Sequence, residues 1–214
     1  MERLACIAIG YVCGLFQTAY ILGKIYHIDI RKQGSGNLGS TNVLRTLGKK
    51  AGALNLLCDC LKCIAAILIA KAIFGNSYGD ILPLLSLYAA AGCILGHNFP
   101  FYLHFKGGKG IAVSAAVIVV SNLHPVFIGV GLAVFILVVA VTRYVSLGSL
   151  IVVWYIPIFT LLYYRESDLF PVILIVSLLF TILAYIKHKA NIIRLIHGTE
   201  NKFGEKKEKK SEEN

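Results

Sequence analysis

Long apolar runs alternate with short polar islands along the whole chain. The runs at 4–23, 51–74, 81–95, 147–164 and 169–186 reach or approach the length that crosses a bilayer, about 20 residues at about 1.5 Å each. Their apolar residues are continuous rather than set at amphipathic spacing, so lipid or neighbouring helices surround them. A sixth apolar stretch, 111–142, contains the turn sequence Ser121-Asn122-Leu123-His124-Pro125. Two passes through a roughly 30 Å core need about 40 helical residues, and this stretch has 32. As a hairpin its arms must be short, so either it is re-entrant or the preceding loop is sunk into the membrane. Non-helical backbone at that depth is tolerated only within protein or beside a water cavity. The pattern predicts an all-α polytopic membrane protein with about seven transmembrane helices in one domain, residues 1–203.

Charge sets the orientation. Lys24, Arg31, Lys32, Arg45, Lys49 and Lys50 fall in the first polar loop, Lys106 and Lys109 in the loop after the third run, and eight Lys and Arg after the last run. The positive-inside rule places these loops in the cytoplasm, with the N-terminus outside and the C-terminus cytoplasmic. Only the hairpin reading of 111–142 keeps the tail inside. The first run is followed at once by basic residues and lacks a clear cleavage site, which fits an uncleaved span. The tail, 204–214, alternates Lys and Glu and reads as disordered.

Composition narrows the class. Only 15% of residues are charged, against about 25% in soluble domains, so no soluble domain is expected. The net charge of +10 lies in loops and tail rather than on an aromatic-basic surface, which excludes nucleic acid as a partner. All six cysteines lie inside apolar runs and read as inert thiols; Cys58, Cys60 and Cys63 are not expected to hold a metal.

The chemistry is concentrated in three islands. The first, GSGNLGSTNVLR at 34–45, offers Gly34, Gly36 and Gly39 for close backbone approach, and Ser35, Asn37, Thr41 and Asn42 as neutral donors. Arg45 adds a planar cation suited to phosphate oxygens. Its glycines mimic a dinucleotide fingerprint, but the required strand–turn–helix unit is absent. The second, GHNFPFYLHFKGGKG at 96–110, sets Lys106 and Lys109 around Gly107 and Gly108, with His97 placed to orient the loop. Gly110 stands where a Walker loop needs Ser or Thr, yet the loop can cradle an anion at the start of the next helix. The third island joins Arg143 and Ser146 to His188 and Asn191, which share a helix face at i, i+3. Asp59 and Lys62 sit within an apolar run at i, i+3, and read as a structural ion pair steadying the first island.

Together these islands resemble the bacterial acyl-phosphate-dependent glycerol-3-phosphate acyltransferases, a membrane-integral family. GSGNLGSTNVLR, GHNFP…FKGGKG, RYVSLGS and HxxNIxRLxxGTE stand in the family's order, over residues 4 to about 203. One departure is Cys63, where the family commonly has Gly. The resemblance implies acyl transfer from acyl-phosphate to the 1-hydroxyl of sn-glycerol 3-phosphate at the bacterial inner membrane, without cofactor or metal. Lysophosphatidic acid and phosphate are then the products. Two phosphate-bearing substrates and one acyl chain would account for two anion sites and a path to membrane lipid.

No Ser-His-Asp triad is evident, and no H-x-x-x-x-D motif occurs. None is required, because acyl-phosphate is already activated and positioning with charge stabilisation can supply the rate. On this reading Ser35 and Arg45 bind the acyl-phosphate. Lys109, His188 and Asn191 hold glycerol 3-phosphate, and Arg143 and Ser146 complete the pocket. Either His188 or the substrate phosphate takes the hydroxyl proton. The competing reading is an organic-phosphate transporter. It is weakened by the lack of an internal repeat and by islands gathered on one face.

Overall fold

The computed structural model describes residues 1–120 and 125–204. Its helices in chain order are α1 (Glu2–Gly14), α2 (Thr18–Ile25), α3 (Ser40–Leu47), α4 (Lys49–Phe74), α5 (Leu82–Asn98), α6 (Ile111–Val120), α7 (Pro125–Thr142), α8 (Val145–Val152), α9 (Tyr155–Tyr163), α10 (Phe170–Lys187) and α11 (Lys189–Ile196). No strand occurs among the described residues. The turn expected at 121–124 and the charged tail from 205 onward lie outside them.

Among the described residues, four stretches are long and apolar enough to cross a membrane: Glu2–Ile25, Gly79–Leu103, Val145–Tyr163 and Phe170–Lys187. α4 is longer than a crossing requires, at 26 residues. Two of the four stretches are each divided between two α-helices. The first breaks between α1 and α2, where buried Gln17 donates its side-chain amide to the carbonyls of Gly14 and His97, both at 3.1 Å. The Val145–Tyr163 stretch breaks between α8 and α9. Of the two helices described within 111–142, α6 has ten residues, roughly 15 Å at 1.5 Å per residue. The loop before it is buried within the protein at Gly107, Gly108 and Gly110.

α5 is the central helix. Its Leu84, Leu87, Ala90, Cys93 and Ile94 share a core with α4, α6, α9 and α10. Cys63 lies fully buried in that core. On the opposite side α5 meets α1 almost backbone to backbone. A Cβ on Gly10 would stand 1.9 Å from the Ala89 carbonyl oxygen, and one on Gly92 2.0 Å from that of Ile7. Small residues allow such approach where lipid offers no hydrophobic drive between helices. Outward positions stay apolar: Leu54, Leu57, Leu61 and Leu68 run along one exposed face of α4. A second small core, Ala19, Leu22, Ile30, Leu38, Val43, Ala51 and Leu103, seats the first polar island against α2 and α4.

Candidate active site

The first island is a turn followed by a helix. Gly34 and Gly36 take left-handed backbone angles, φ 56° and 70°. A Cβ on Gly34 would fall 2.3 Å from Asn42 Oδ1. Asn42 organises the turn, accepting from the Ser35 amide (2.8 Å) and donating to the carbonyls of Ile30 (3.3 Å) and Gln33 (3.0 Å). Asn37 caps Gly39 (2.9 Å) and reaches the Gly107 carbonyl (3.4 Å), joining the first island to the second. The turn delivers Gly39, Ser40 and Thr41 at the N-terminus of α3.

The second island hangs from the end of α5. The amides of Gly107 and Gly108 donate to the carbonyls of Asn98 (3.2 Å) and His97 (3.0 Å). The His97 ring lies against Gly108, where a Cβ would stand 2.0 Å from Nε2. This ring is fixed from behind. Lys62 Nζ contacts His97 Nδ1, Asp59 Oδ1 and the Phe16 carbonyl, each at 2.8 Å. That carbonyl is exposed by the break between α1 and α2. An ammonium only donates, so Nδ1 of His97 accepts and the ring proton sits on Nε2. Asp59 is held in turn by Asn55 Nδ2 (2.9 Å), which also reaches Ser40 Oγ (2.9 Å). The ion pair read from the sequence therefore supports both islands.

The third island is gathered by the segment after α11. Lys109 Nζ donates to Asn191 Oδ1, whose amide donates to Glu200 (2.9 Å); Arg194 completes the line at 2.8 Å from Glu200. Arg45 donates to the Asn201 carbonyl (3.1 Å). His188 Nδ1 lies 2.8 Å from the Ala184 carbonyl, which can only accept, so Nε2 carries the lone pair. Burial, reinforced by Lys109, pushes His188 down to about 4. Burial also pushes Lys109 down to about 8, against the pull of Glu200.

These groups surround one cavity of about 400 Å³. Its polar end is lined by Ser35, Asn37, Thr41, Asn42, Arg45, His97, Lys109, Ser146, His188 and Asn191. The N-termini of α3, α6 and α8 converge there, adding partial positive charge to Arg45 and Lys109. The carboxylates at its wall, Asp59 and Glu200, are matched by Lys62 and Arg194. The remainder is apolar, walled by α4, α6, α7 and the α8–α9 face. Ser146 Oγ is buried without a protein partner among the described residues. The arrangement suits two anions side by side with an apolar chain leading away.

Not every residue singled out from the sequence reaches this cavity. Gly34, Gly36, Gly107 and Gly108 shape the loops from behind. Arg143 is exposed, and its guanidinium donates to the Phe203 carbonyl (3.0 Å) while its own carbonyl accepts from Phe203 (2.6 Å). It fastens the segment that carries Glu200. Glu200 and Asn55 were missed as site residues. A carboxylate inside the third motif was the only signal for Glu200, and Asn55 sits one turn before Asp59 in an apolar run.

Comparison with known proteins agrees over nearly the whole chain. A family model described as glycerol-3-phosphate acyltransferase matches residues 4–198. Glycerol-3-phosphate acyltransferase from Clostridioides difficile (strain 630) is 48% identical over 94% of this chain and 95% of its own. That from Trichlorobacter lovleyi is 42% identical over 92% and 95%. Among solved structures, the integral membrane glycerol 3-phosphate acyltransferase PlsY (YgiH) in its glycerol 3-phosphate form aligns with a TM-score of 0.81. It is 30% identical and covers 95% of this chain and 96% of that one. Its lysophosphatidic acid form aligns at 0.77.

Proposed function

The chain belongs to the glycerol-3-phosphate acyltransferase family, and from that premise we propose that it acylates the 1-hydroxyl of sn-glycerol 3-phosphate using acyl-phosphate as donor. The products are lysophosphatidic acid and inorganic phosphate. The hydroxyl oxygen attacks the acyl carbonyl carbon, the bond from that carbon to the phosphate oxygen breaks, and phosphate leaves with the electron pair. The observation that carries this reading is the cavity shared by the three islands, cationic at one end and apolar along the rest. A donor that is itself a phosphate fits it, because two anion-binding loops meet there.

In this proposal Ser35, Thr41 and Arg45 hold the acyl-phosphate, and Lys109, Ser146, His188 and Asn191 hold glycerol 3-phosphate. Gathering both substrates converts a two-body reaction to a one-body one, and the donors neutralise charge on the departing phosphate. The substrate's own phosphate takes the hydroxyl proton. Its second pKa is about 6, whereas His188 at about 4 is the weaker base. The cavity opens to the cytoplasmic side of the bacterial inner membrane.

The test is a transfer assay with purified protein. Labelled glycerol 3-phosphate would be offered with acyl-phosphate, acyl-CoA or acyl carrier protein in parallel. Lysophosphatidic acid is expected from acyl-phosphate; product from acyl-CoA but not acyl-phosphate refutes the donor. His188→Gln should keep most of kcat. A fall of about 100-fold or more, the usual worth of a general base, would assign that role to His188.

A further inference from the structure

The apolar part of the cavity has a direction. Ser146, Ser149, Val152 and Tyr155 line it as one face that crosses the break from α8 into α9. From Ser146 to Tyr155 that face runs roughly 14 Å, at about 1.5 Å per residue. Facing it, α7 contributes Phe135, then Leu132 and Gly131, then Ile128. The two faces run antiparallel. A Cβ on Gly148 would stand 3.1 Å from the Phe135 ring, and one on Gly131 3.0 Å from the Tyr155 ring. Phe135 is thus level with the polar end, and the Tyr155–Gly131 pair lies one turn further along α7 and about two turns further along α8–α9.

Tyr155 is held firmly at that level. Its hydroxyl donates to the Phe127 carbonyl (2.5 Å). Its ring lies against Phe127, with centroids 4.2 Å apart, and Phe127 is backed by Phe159 (5.3 Å) and Tyr163 (5.8 Å). We infer that Tyr155, supported by this aromatic cluster, is the stop that sets acyl-chain length. The inference rests on the acyl-transfer reading above. With the acyl carbonyl at the polar end, the chain lies along the α7 and α8–α9 faces and its terminal methyl meets Tyr155. A longer chain must displace a hydrogen-bonded ring. A shorter one leaves apolar wall uncovered. One methylene in a fitted apolar pocket is worth about 10-fold or more in kcat/KM.

The test uses a homologous series of even-chain acyl-phosphates, from medium to long, with saturating glycerol 3-phosphate. The unsubstituted enzyme should show an optimum, with kcat/KM falling about 10-fold or more beyond it. Tyr155→Ala should move the optimum to longer chains. Val152→Phe, which narrows the arm one turn earlier, should move it to shorter ones. Tyr155→Phe keeps the ring and should keep the optimum. Each readout is a ratio between chain lengths in one preparation, so loss of folded enzyme cancels. A flat profile for the unsubstituted enzyme overturns the stop, as does an optimum that neither Tyr155→Ala nor Val152→Phe moves. Failure of the donor reading looks different: no acyl-phosphate of any length yields product. The same series presented as acyl-CoA thioesters then tests the stop on the donor that works.

Discussion

Lys62 shows how one buried residue ties the sequence to the site. Its ammonium meets Asp59, the Phe16 carbonyl and His97 at one distance, 2.8 Å. This uses all three protons of the group. The consequence falls on His97, which is left as a fixed Nε2–H donor at the cavity wall. Lys62→Met in an Asp59→Asn background removes this support without leaving a buried charge. It should raise KM for glycerol 3-phosphate about 10-fold, the worth of one well-made hydrogen bond, with a smaller change in kcat. Lys62→Gln, which keeps a donor, should recover much of the loss. Steady-state kinetics reads both, and an unchanged KM contradicts the positioning role. The Asp59–Lys62 pair was legible because charge in an apolar helix stands out at i, i+3. His97 as its third member was not, since it lies 35 residues away and only the packing of α4 on α5 joins them. Ser35, Arg45, Lys109, His188 and Asn191 were legible for a related reason: polar side chains gather where an apolar chain needs them. Arg143 was misleading to composition alone, because a cation beside Ser146 faces Phe203 instead of the cavity.

At the scale of elements, the apolar runs marked the helices but not their breaks. Nothing at Leu15-Phe16-Gln17 resembles a helix stop: Pro is absent and Gly14 sits within the helix end. The break is stabilised from outside, by carbonyls of α5 that accept from Gln17. It supplies the free Phe16 carbonyl that Lys62 uses. The close pairing of α1 with α5 was equally hidden, because a glycine in an apolar run carries no signal of its partner. Gly92→Val should be strongly destabilising. Its first carbon alone would stand 2.0 Å from the Ile7 carbonyl oxygen, and overpacking of a tight core costs about 1–3 kcal/mol or more. Thermal unfolding in detergent should show a clear drop in Tm; an unchanged Tm would mean that the helices do not approach as described.

Across the whole molecule, the basic loops come together. Arg45 reaches Asn201, Lys109 reaches Asn191 and Lys187 reaches the Asn98 carbonyl (3.0 Å). These loops thus meet on one side of the protein, and the positive-inside rule predicts a cytoplasmic C-terminus. A fluorescent reporter that matures only in the cytoplasm, fused to the C-terminus, should be bright; a dark but full-length fusion would reverse the orientation. This convergence also predicts that both phosphates occupy one cavity at once and that the acyl group passes directly between substrates. Initial velocities measured over a matrix of acyl-phosphate and glycerol 3-phosphate concentrations test it most directly. Direct transfer predicts double-reciprocal lines that intersect, as for a ternary complex. Parallel lines, the mark of ping-pong transfer through an acyl-enzyme, would contradict it.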